Sequence, residues 1–225
     1  MKQERSLNEY GIILFDLDGT LTDSREGIIR SAEYALRELG QPVPGNDKMK
    51  LMLGPPLIVS MRELFGMPEE LAQQAVKKYR ERYSTVGLFE NRPYDGVKDM
   101  LKELKAAGRR LAVATSKPEV FSVRILEKFG LAGYFENITG SGLDGSRDTK
   151  REVIEEALSR LGVRDRSKAI MVGDRSHDII GAREAGIPCI GAGWGYAPEG
   201  ELNENGAAVI ASSPGELLML LTGRK

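Results

Sequence analysis

The chain has 225 residues, 41% hydrophobic and 29% charged, a balance that suits a soluble globular fold and excludes a disordered one. Its 32 Lys and Arg against 33 Asp and Glu leave a formal net charge of -1, so no basic excess marks a nucleic-acid or anionic-membrane surface, and an anionic ligand has to be met by local charge. The polar stretch Met1 to Tyr10 lacks the apolar core of a secretory signal, no later run reaches membrane-spanning length, and the single cysteine, Cys189, permits neither an intrachain disulfide nor a thiolate metal cluster; a cytoplasmic protein is expected, with Cys189 as a small buried apolar residue.

Gly11 to Leu17 reads Gly-Ile-Ile-Leu-Phe-Asp-Leu, the continuous apolar run of a strand covered on both faces. From about Thr22 to Asn91 the pattern is helical and contains no convincing strand. Ile28, Ile29, Ala32, Ala35, Leu36 and Leu39 form one apolar stripe, ended by Gly40 and Pro42, while Leu71, Ala75, Tyr79 and Tyr83 form another at spacing four. Gly54-Pro55-Pro56 marks a loop between them, and Arg92-Pro93-Tyr94-Asp95-Gly96 is a turn-rich return. Further apolar runs occur at Arg110 to Thr115, Ala169 to Val172 and Ile187 to Gly191, separated by amphipathic helices on Val97 to Leu104, Val120 to Phe129 and Val153 to Leu161. Strand alternating with helix predicts an α/β fold with a doubly wound parallel sheet. The expected division is a core of residues 1–21 and 92–225 with a small helical cap inserted at 22–91.

Four polar clusters sit where predicted strands end, the edge at which functional residues of open parallel sheets gather. The first is Asp16-Leu17-Asp18-Gly19-Thr20, two carboxylates with a glycine that permits the chain to turn. A plain turn with solvated aspartates is the bland alternative. An EF-hand loop is excluded, because Gly27 stands where its bidentate glutamate belongs. The second is Thr115-Ser116-Lys117-Pro118; Ser116 is expected to cap the following helix, whose N-terminus also suits a phosphate. The third is Lys150, on the approach to the helix of Val153 to Leu161, either solvated or balancing the charge of nearby carboxylates and phosphate. The fourth is Gly173-Asp174-Arg175-Ser176-His177-Asp178, whose acids serve either as helix caps or, with Asp16 and Asp18, as a carboxylate site for a hard cation such as magnesium. His177 is the only histidine, which excludes a multi-histidine zinc centre and is read as a surface or supporting residue. Gly191-Ala192-Gly193-Trp194-Gly195 lacks the spacing of a dinucleotide fingerprint and is read as a loop.

In order and spacing these clusters resemble the haloacid dehalogenase superfamily, in its branch with a helical cap after the first strand, over nearly the whole chain. The resemblance implies Asp16 as nucleophile, Asp18 as general acid and base, and Lys150 as the charge-balancing lysine. It also implies Thr115 and Ser116 as phosphate ligands, and a magnesium ion held by Asp16, Asp18, Asp174 and Asp178. Arg151 follows Lys150 where the family often has proline, and Arg175, taken as a substrate-binding residue, stands where many relatives carry serine. With Arg175, the segments Thr22 to Gly27 and Gly54-Pro55-Pro56 resemble the group of phosphoglycolate phosphatases and 5'-nucleotidases. The implied function is a magnesium-dependent phosphatase of small-molecule phosphate monoesters, working through an aspartyl-phosphate, with no nucleic-acid, membrane or obligate protein partner. A phosphomutase or pyrophosphatase of the same superfamily, a dehalogenase and a noncatalytic phosphometabolite sensor are the alternatives. The choice of substrate is expected in the cap, where Lys48, Lys50, Arg62, Arg80 and Arg82 are the cationic candidates.

Overall fold

The first apolar run forms β1 (Ile12–Phe15), and all four of its side chains are buried, which is why it reads without polar alternation. The structure, a computed structural model, describes residues 6–224; Met1–Arg5, half of the polar N-terminal stretch, and Lys225 lie outside the described residues. From β1 the chain passes through β2 (Thr22–Asp23) into α1 (Arg25–Glu38), α2 (Asn46–Lys50), α3 (Leu57–Val59, continued as a π-turn over Ser60–Leu64) and α4 (Glu69–Tyr83), and returns through β3 (Arg92–Pro93). Next come α5 (Val97–Ala106), β4 (Arg110–Pro118), α6 (Glu119–Lys128), β5 (Asn137–Ser141), α7 (Lys150–Arg160) and β6 (Ala169–Gly173). The chain ends with α8 (Ser176–Glu184), β7 (Cys189–Ala192), α9 (Glu201–Glu204), β8 (Val209–Ala211) and α10 (Pro214–Thr222).

Six strands form one parallel sheet in the order β5-β4-β1-β6-β7-β8, while β2 and β3 pair in a sheet of their own. Phe15 lies level with both Val113 and Val172, so the residues that follow these three on β1, β4 and β6 lie together along one edge of the sheet. Beneath that edge, Leu14, Ala112, Ala114 and Met171 pack against Val153, Ile154, Ala157 and Leu158 of α7 and Ile179 and Ala182 of α8. Each large side chain buried in this layer contributes about 1.5–3 kcal/mol. Together they make the strand ends a rigid platform. Cys189 is buried in the same layer, as its apolar neighbours imply.

β5 and β8 are strands that the apolar-run criterion passes over. Both are edge strands. Asn137-Ile138-Thr139-Gly140-Ser141 is polar and only partly buried, and Val209-Ile210-Ala211 is three residues long, so neither carries the two-faced apolar signature of a central strand. A second correction concerns Ser116. The strand continues to Pro118 and α6 begins at Glu119 with no side-chain cap, so Ser116 lies in extended chain rather than at a helix N-terminus.

The chain divides into two compact units, Met1–Thr22 with Pro93–Lys225 and Asp23–Arg92. In the second, α1 buries Gly27, Ser31, Ala32, Ala35 and Leu36, and α4 buries Ala72, Ala75, Tyr79 and Tyr83. The small residues permit close approach. A Cβ on Gly27 would lie 2.0 Å from the Gly87 carbonyl oxygen. The Tyr79 and Tyr83 rings stack with centroids 5.1 Å apart, as expected for residues four apart on one helical face. Leu71 is only half-buried, and the buried face runs through Ala72 instead. Among the described residues no helix is long and apolar enough to cross a membrane.

Candidate active site

Asp16 is the first residue beyond β1, and its backbone N–H donates to the Val172 carbonyl at 2.9 Å, so its position is set by the sheet itself. Gly19 then turns with φ +81°, a conformation that side chains disfavour. The turn is closed by Gly19 N–H to Thr22 O at 2.8 Å and by Leu21 N–H and Thr22 N–H to Leu17 O at 2.9 and 3.0 Å. Asp174 leaves the end of β6, and Asp178 lies in the first turn of α8, where its Oδ2 accepts from the Arg175 N–H at 3.0 Å.

Lys150 is the first residue of α7. A capping box defines that start: the Thr149 hydroxyl accepts from Glu152 N–H at 3.2 Å, and the Glu152 carboxylate accepts from Thr149 N–H at 3.0 Å. The box begins the helix without the proline that often follows the family's lysine. The lysine is buried, and its Nζ lies 2.8 Å from both Asp16 Oδ1 and Asp178 Oδ1 while donating to Ala114 O at 3.2 Å.

Asp16, Asp174 and Asp178 therefore converge: an oxygen from each lies within 4.8 Å of the others. Three buried carboxylates against one ammonium leave an excess of negative charge, and the titration behaviour reflects it. Burial, then the neighbouring Asp178 and Asp16, push the Asp174 carboxyl well above the ordinary aspartate range, against the opposing hydrogen bonds from Tyr196 and Thr20. Burial also raises Asp178, to about 6, with Asp16 adding to the rise and Lys150 opposing it. For Lys150 burial works to remove the charge, but Asp16 and Asp178 outweigh it and hold the lysine above its usual value. A hard divalent cation suits this arrangement, because the donor set is entirely oxygen and carries the surplus charge that a cation cancels.

The three carboxylates differ in access. Asp174 is 0% exposed and Asp178 1%, whereas Asp16 keeps 8% of its surface open. Both Asp174 oxygens accept hydrogen bonds, from Thr20 Oγ1 at 3.0 Å and from Tyr196 N–H at 2.8 Å. Asp18, expected among the metal carboxylates, pairs through its side chain with the Lys117 ammonium, and its carboxylate lies outside the grouping of the other three. The reason is local. Beyond Asp16 the chain has left the strand for the Gly19 turn, so the two carboxylates no longer share one strand face.

Thr115 is buried in the second half of β4 and its hydroxyl accepts from Lys117 N–H at 3.3 Å. The pairing of β4 with β5 shifts register between Thr115 and Pro118, which turns Ser116 and Lys117 out of the regular ladder. Ser116 is half-buried there, with its carbonyl accepting from Ser141 Oγ at 2.8 Å. Arg175, expected on the substrate, instead sends its guanidinium to Glu201, at 2.9 Å from Nε to Oε1 and 3.3 Å from Nη2 to Oε2. His177 is exposed. In the second unit Arg82 is bidentate to Glu90, at 2.7 and 2.8 Å, Arg62 pairs with Glu69 at 3.3 Å, and Lys50 pairs with Asp47 at 3.0 Å. Arg80 lines a cavity of about 560 Å³ with Ile58, Gln73, Val76, Lys77 and Glu81. Thr20 and Lys117 fall inside the first and second clusters and Gly195 inside the glycine-rich loop without a role read for any of them, and Tyr196 lies outside every cluster. Spacing holds a hint for Lys117 alone, two residues beyond Thr115 as Asp18 is two beyond Asp16.

Comparison with known proteins agrees with this geometry. The family model described as haloacid dehalogenase-like hydrolase matches residues 13–192. A 5'-nucleotidase from Pseudomonas aeruginosa is 45% identical over 193 residues, 86% of this chain and 87% of that one. The tyrosine-protein kinase PtkA of Mycobacterium tuberculosis is 42% identical over 199 residues, 88% of this chain and 67% of its own length. A solved structure of a predicted phosphatase from Clostridium acetobutylicum superposes with a TM-score of 0.88 at 45% identity, covering 93% of this chain and 96% of that one.

Proposed function

The chain belongs to the haloacid dehalogenase-like hydrolase family, and from that premise we propose a magnesium-dependent phosphatase of small phosphate monoesters that works through an aspartyl-phosphate on Asp16. The observation that carries the proposal is the convergence of Asp16, Asp174 and Asp178 around Lys150, with Asp16 alone retaining an open face. Asp174 and Asp178 are more enclosed than Asp16, which suits ligands and not nucleophiles. Magnesium would be held by Asp16, Asp174 and Asp178, and when bound it supplies the positive charge that offsets repulsion between a carboxylate and a phosphate.

In the proposed reaction an Asp16 oxygen forms a bond to phosphorus as the bond to the ester oxygen breaks. The electron pair goes to the departing oxygen, which takes its proton from Asp18. Water then attacks the aspartyl-phosphate, Asp18 takes the water's proton, and Asp16 returns as a carboxylate with release of inorganic phosphate. Lys150 orients Asp16 and holds charge at its Oδ1 throughout. Thr115 and Ser116 are assigned to the phosphate on the strength of their place in the last part of β4, where its pairing with β5 shifts register. The separation of the Asp18 carboxylate from the cluster supports its different task.

The substrate class proposed is phosphoglycolate or nucleoside 5'-monophosphate, supported by the Thr22 to Gly27 and Gly54-Pro55-Pro56 segments and by the name of the Pseudomonas relative. The test is phosphate release from p-nitrophenyl phosphate with magnesium and with EDTA, followed by a panel of the two substrate classes ranked by kcat/KM. Asp16→Asn is expected to lose activity by about 10³-fold or more, the amide being a poor nucleophile. Retained turnover in that variant would remove Asp16 from the role.

A further inference from the structure

We propose that the Trp194-Gly195-Tyr196 turn is a positioning element for Asp174, holding this carboxylate ready as a cation ligand before any cation arrives. The inference rests on the reading of Asp174 as a metal ligand and adds residues to it from the far side of the sheet edge. Asp174 Oδ2 accepts from the Tyr196 N–H at 2.8 Å, and Asp174 Oδ1 accepts from the Thr20 hydroxyl at 3.0 Å. The two donors are themselves tied, because the Trp194 indole N–H donates to the Thr20 carbonyl at 3.0 Å. A closed ring results, Thr20 to Asp174 to Tyr196, and through Trp194 back to Thr20. It draws together the segments that leave β1, β6 and β7.

The packing inside the ring is tight. A Cβ on Gly195 would lie 2.2 Å from Asp174 Cβ, and one on Gly19 would lie 2.1 Å from Asp174 Oδ2, so the carboxylate is gripped between two glycines. The turn is anchored in turn by Gly193 N–H to Ala211 O at 2.8 Å and Gly195 N–H to Ala192 O at 3.1 Å, which fasten it to the ends of β8 and β7.

Charge distinguishes this support from that of the other two carboxylates. Asp16 and Asp178 share the Lys150 ammonium. Among the described residues Asp174 receives only neutral donors, an O–H and an N–H, which fix its orientation without bringing an opposite charge. Of roughly four lone-pair directions on a carboxylate, these two bonds leave two for a ligand. A buried carboxylate held in this way is kept in one orientation for a cation, and such outer partners typically set metal affinity by about 10–100-fold.

The experiment compares the full chain with Trp194→Phe, which keeps an aromatic ring and removes the N–H, and with Gly195→Ala, which drives a methyl group into Asp174. Magnesium is titrated against melting temperature and, separately, against hydrolysis of p-nitrophenyl phosphate. Trp194→Phe is expected to raise the half-saturating magnesium by about tenfold with kcat at saturating magnesium retained, and Gly195→Ala to raise it further. A role in stability alone would lower the metal-free melting temperature and leave the magnesium midpoint where it was; that result overturns the proposal. If Trp194→Phe fails to fold, Thr20→Ser, which keeps the hydroxyl donor, and Thr20→Val, which loses it, give the same reading. Weaker magnesium binding only in Thr20→Val supports the ring, and equal midpoints overturn it. A parent protein whose melting temperature does not respond to magnesium overturns the assignment of Asp174 itself.

Discussion

Replacing Lys150 with methionine keeps the length and the apolar stem of the side chain and removes one charge from a buried cluster. In the parent the ammonium lies 2.8 Å from Asp16 Oδ1 and 2.8 Å from Asp178 Oδ1. At that distance each pair is worth about 6 kcal/mol of gross attraction at an effective dielectric of about 20. Most of this is spent against desolvation. Breaking one side of a buried pair costs about 3–5 kcal/mol, because the carboxylates left behind are uncompensated. The cost here belongs at the lower end, since the Asp178 carboxyl is already raised to about 6 by burial and by Asp16, and loss of the lysine lets it take up a proton near neutrality. A loss of about 3 kcal/mol in a chain of this size is a fall of about 10 °C in melting temperature. The assay is thermal unfolding of parent and Lys150→Met in EDTA and in magnesium at several pH values. Without metal the variant melts lower at neutral pH, and the difference narrows as the pH falls toward about 5, because the cluster is then protonated in the variant. Magnesium restores more stability to the variant than to the parent, since it meets more uncancelled charge. Equal melting temperatures at neutral pH in EDTA would refute the reasoning, and so would a difference that does not depend on pH.

The pH dependence of the parent comes from the same cluster. The Asp178 carboxyl is raised from 3.8 to about 6 in the folded chain, so its contribution to metal-free stability is fully present below its unfolded value and is lost as the pH rises through about 6. In EDTA the melting temperature should fall between about pH 4 and pH 7 on account of this group, while the stabilisation brought by magnesium grows over the same window, as ligands that must be deprotonated require. A magnesium effect of constant size across that window would count against Asp178 as part of the metal site. In the second unit, Gly27→Ala places a Cβ 2.0 Å from the Gly87 carbonyl oxygen, which is backbone and cannot swing aside. We expect a loss of about 1–3 kcal/mol confined to Asp23–Arg92, seen as faster hydrogen exchange in α1 and α4; unchanged protection there would show that the close approach of the two glycines is dispensable.

Much of the unit that carries the parallel sheet is legible in the order of residues. β1, β4, β6 and β7 are central strands buried on both faces, and burial of that kind writes an unbroken apolar run into the chain. Asp16, Asp18, Thr115, Asp174 and Asp178 stand out because each follows such a run, and Lys150 because it opens an amphipathic helix. The edge strands β5 and β8 escape because a strand with one neighbour and an open face has no need of that signature. Ser116 is misread as a helix cap for a related reason: a short polar run after a strand reads alike whether the chain turns into a helix or continues extended through a register shift.

Sequence by itself determined that acidic and hydroxyl groups would meet at the carboxyl edge of a parallel sheet, because the order of strands and helices leaves them no other common place. Tertiary structure alone decided how those groups are arranged. Lys150 bridges Asp16 and Asp178 across 134 and 28 positions of chain, Asp18 turns away to Lys117, and a turn read as an ordinary loop supplies the N–H that holds Asp174. Distances of a few ångströms between residues far apart in sequence set charge balance and access, and such distances depend on the register and packing of the whole sheet, which local patterns of residues do not encode.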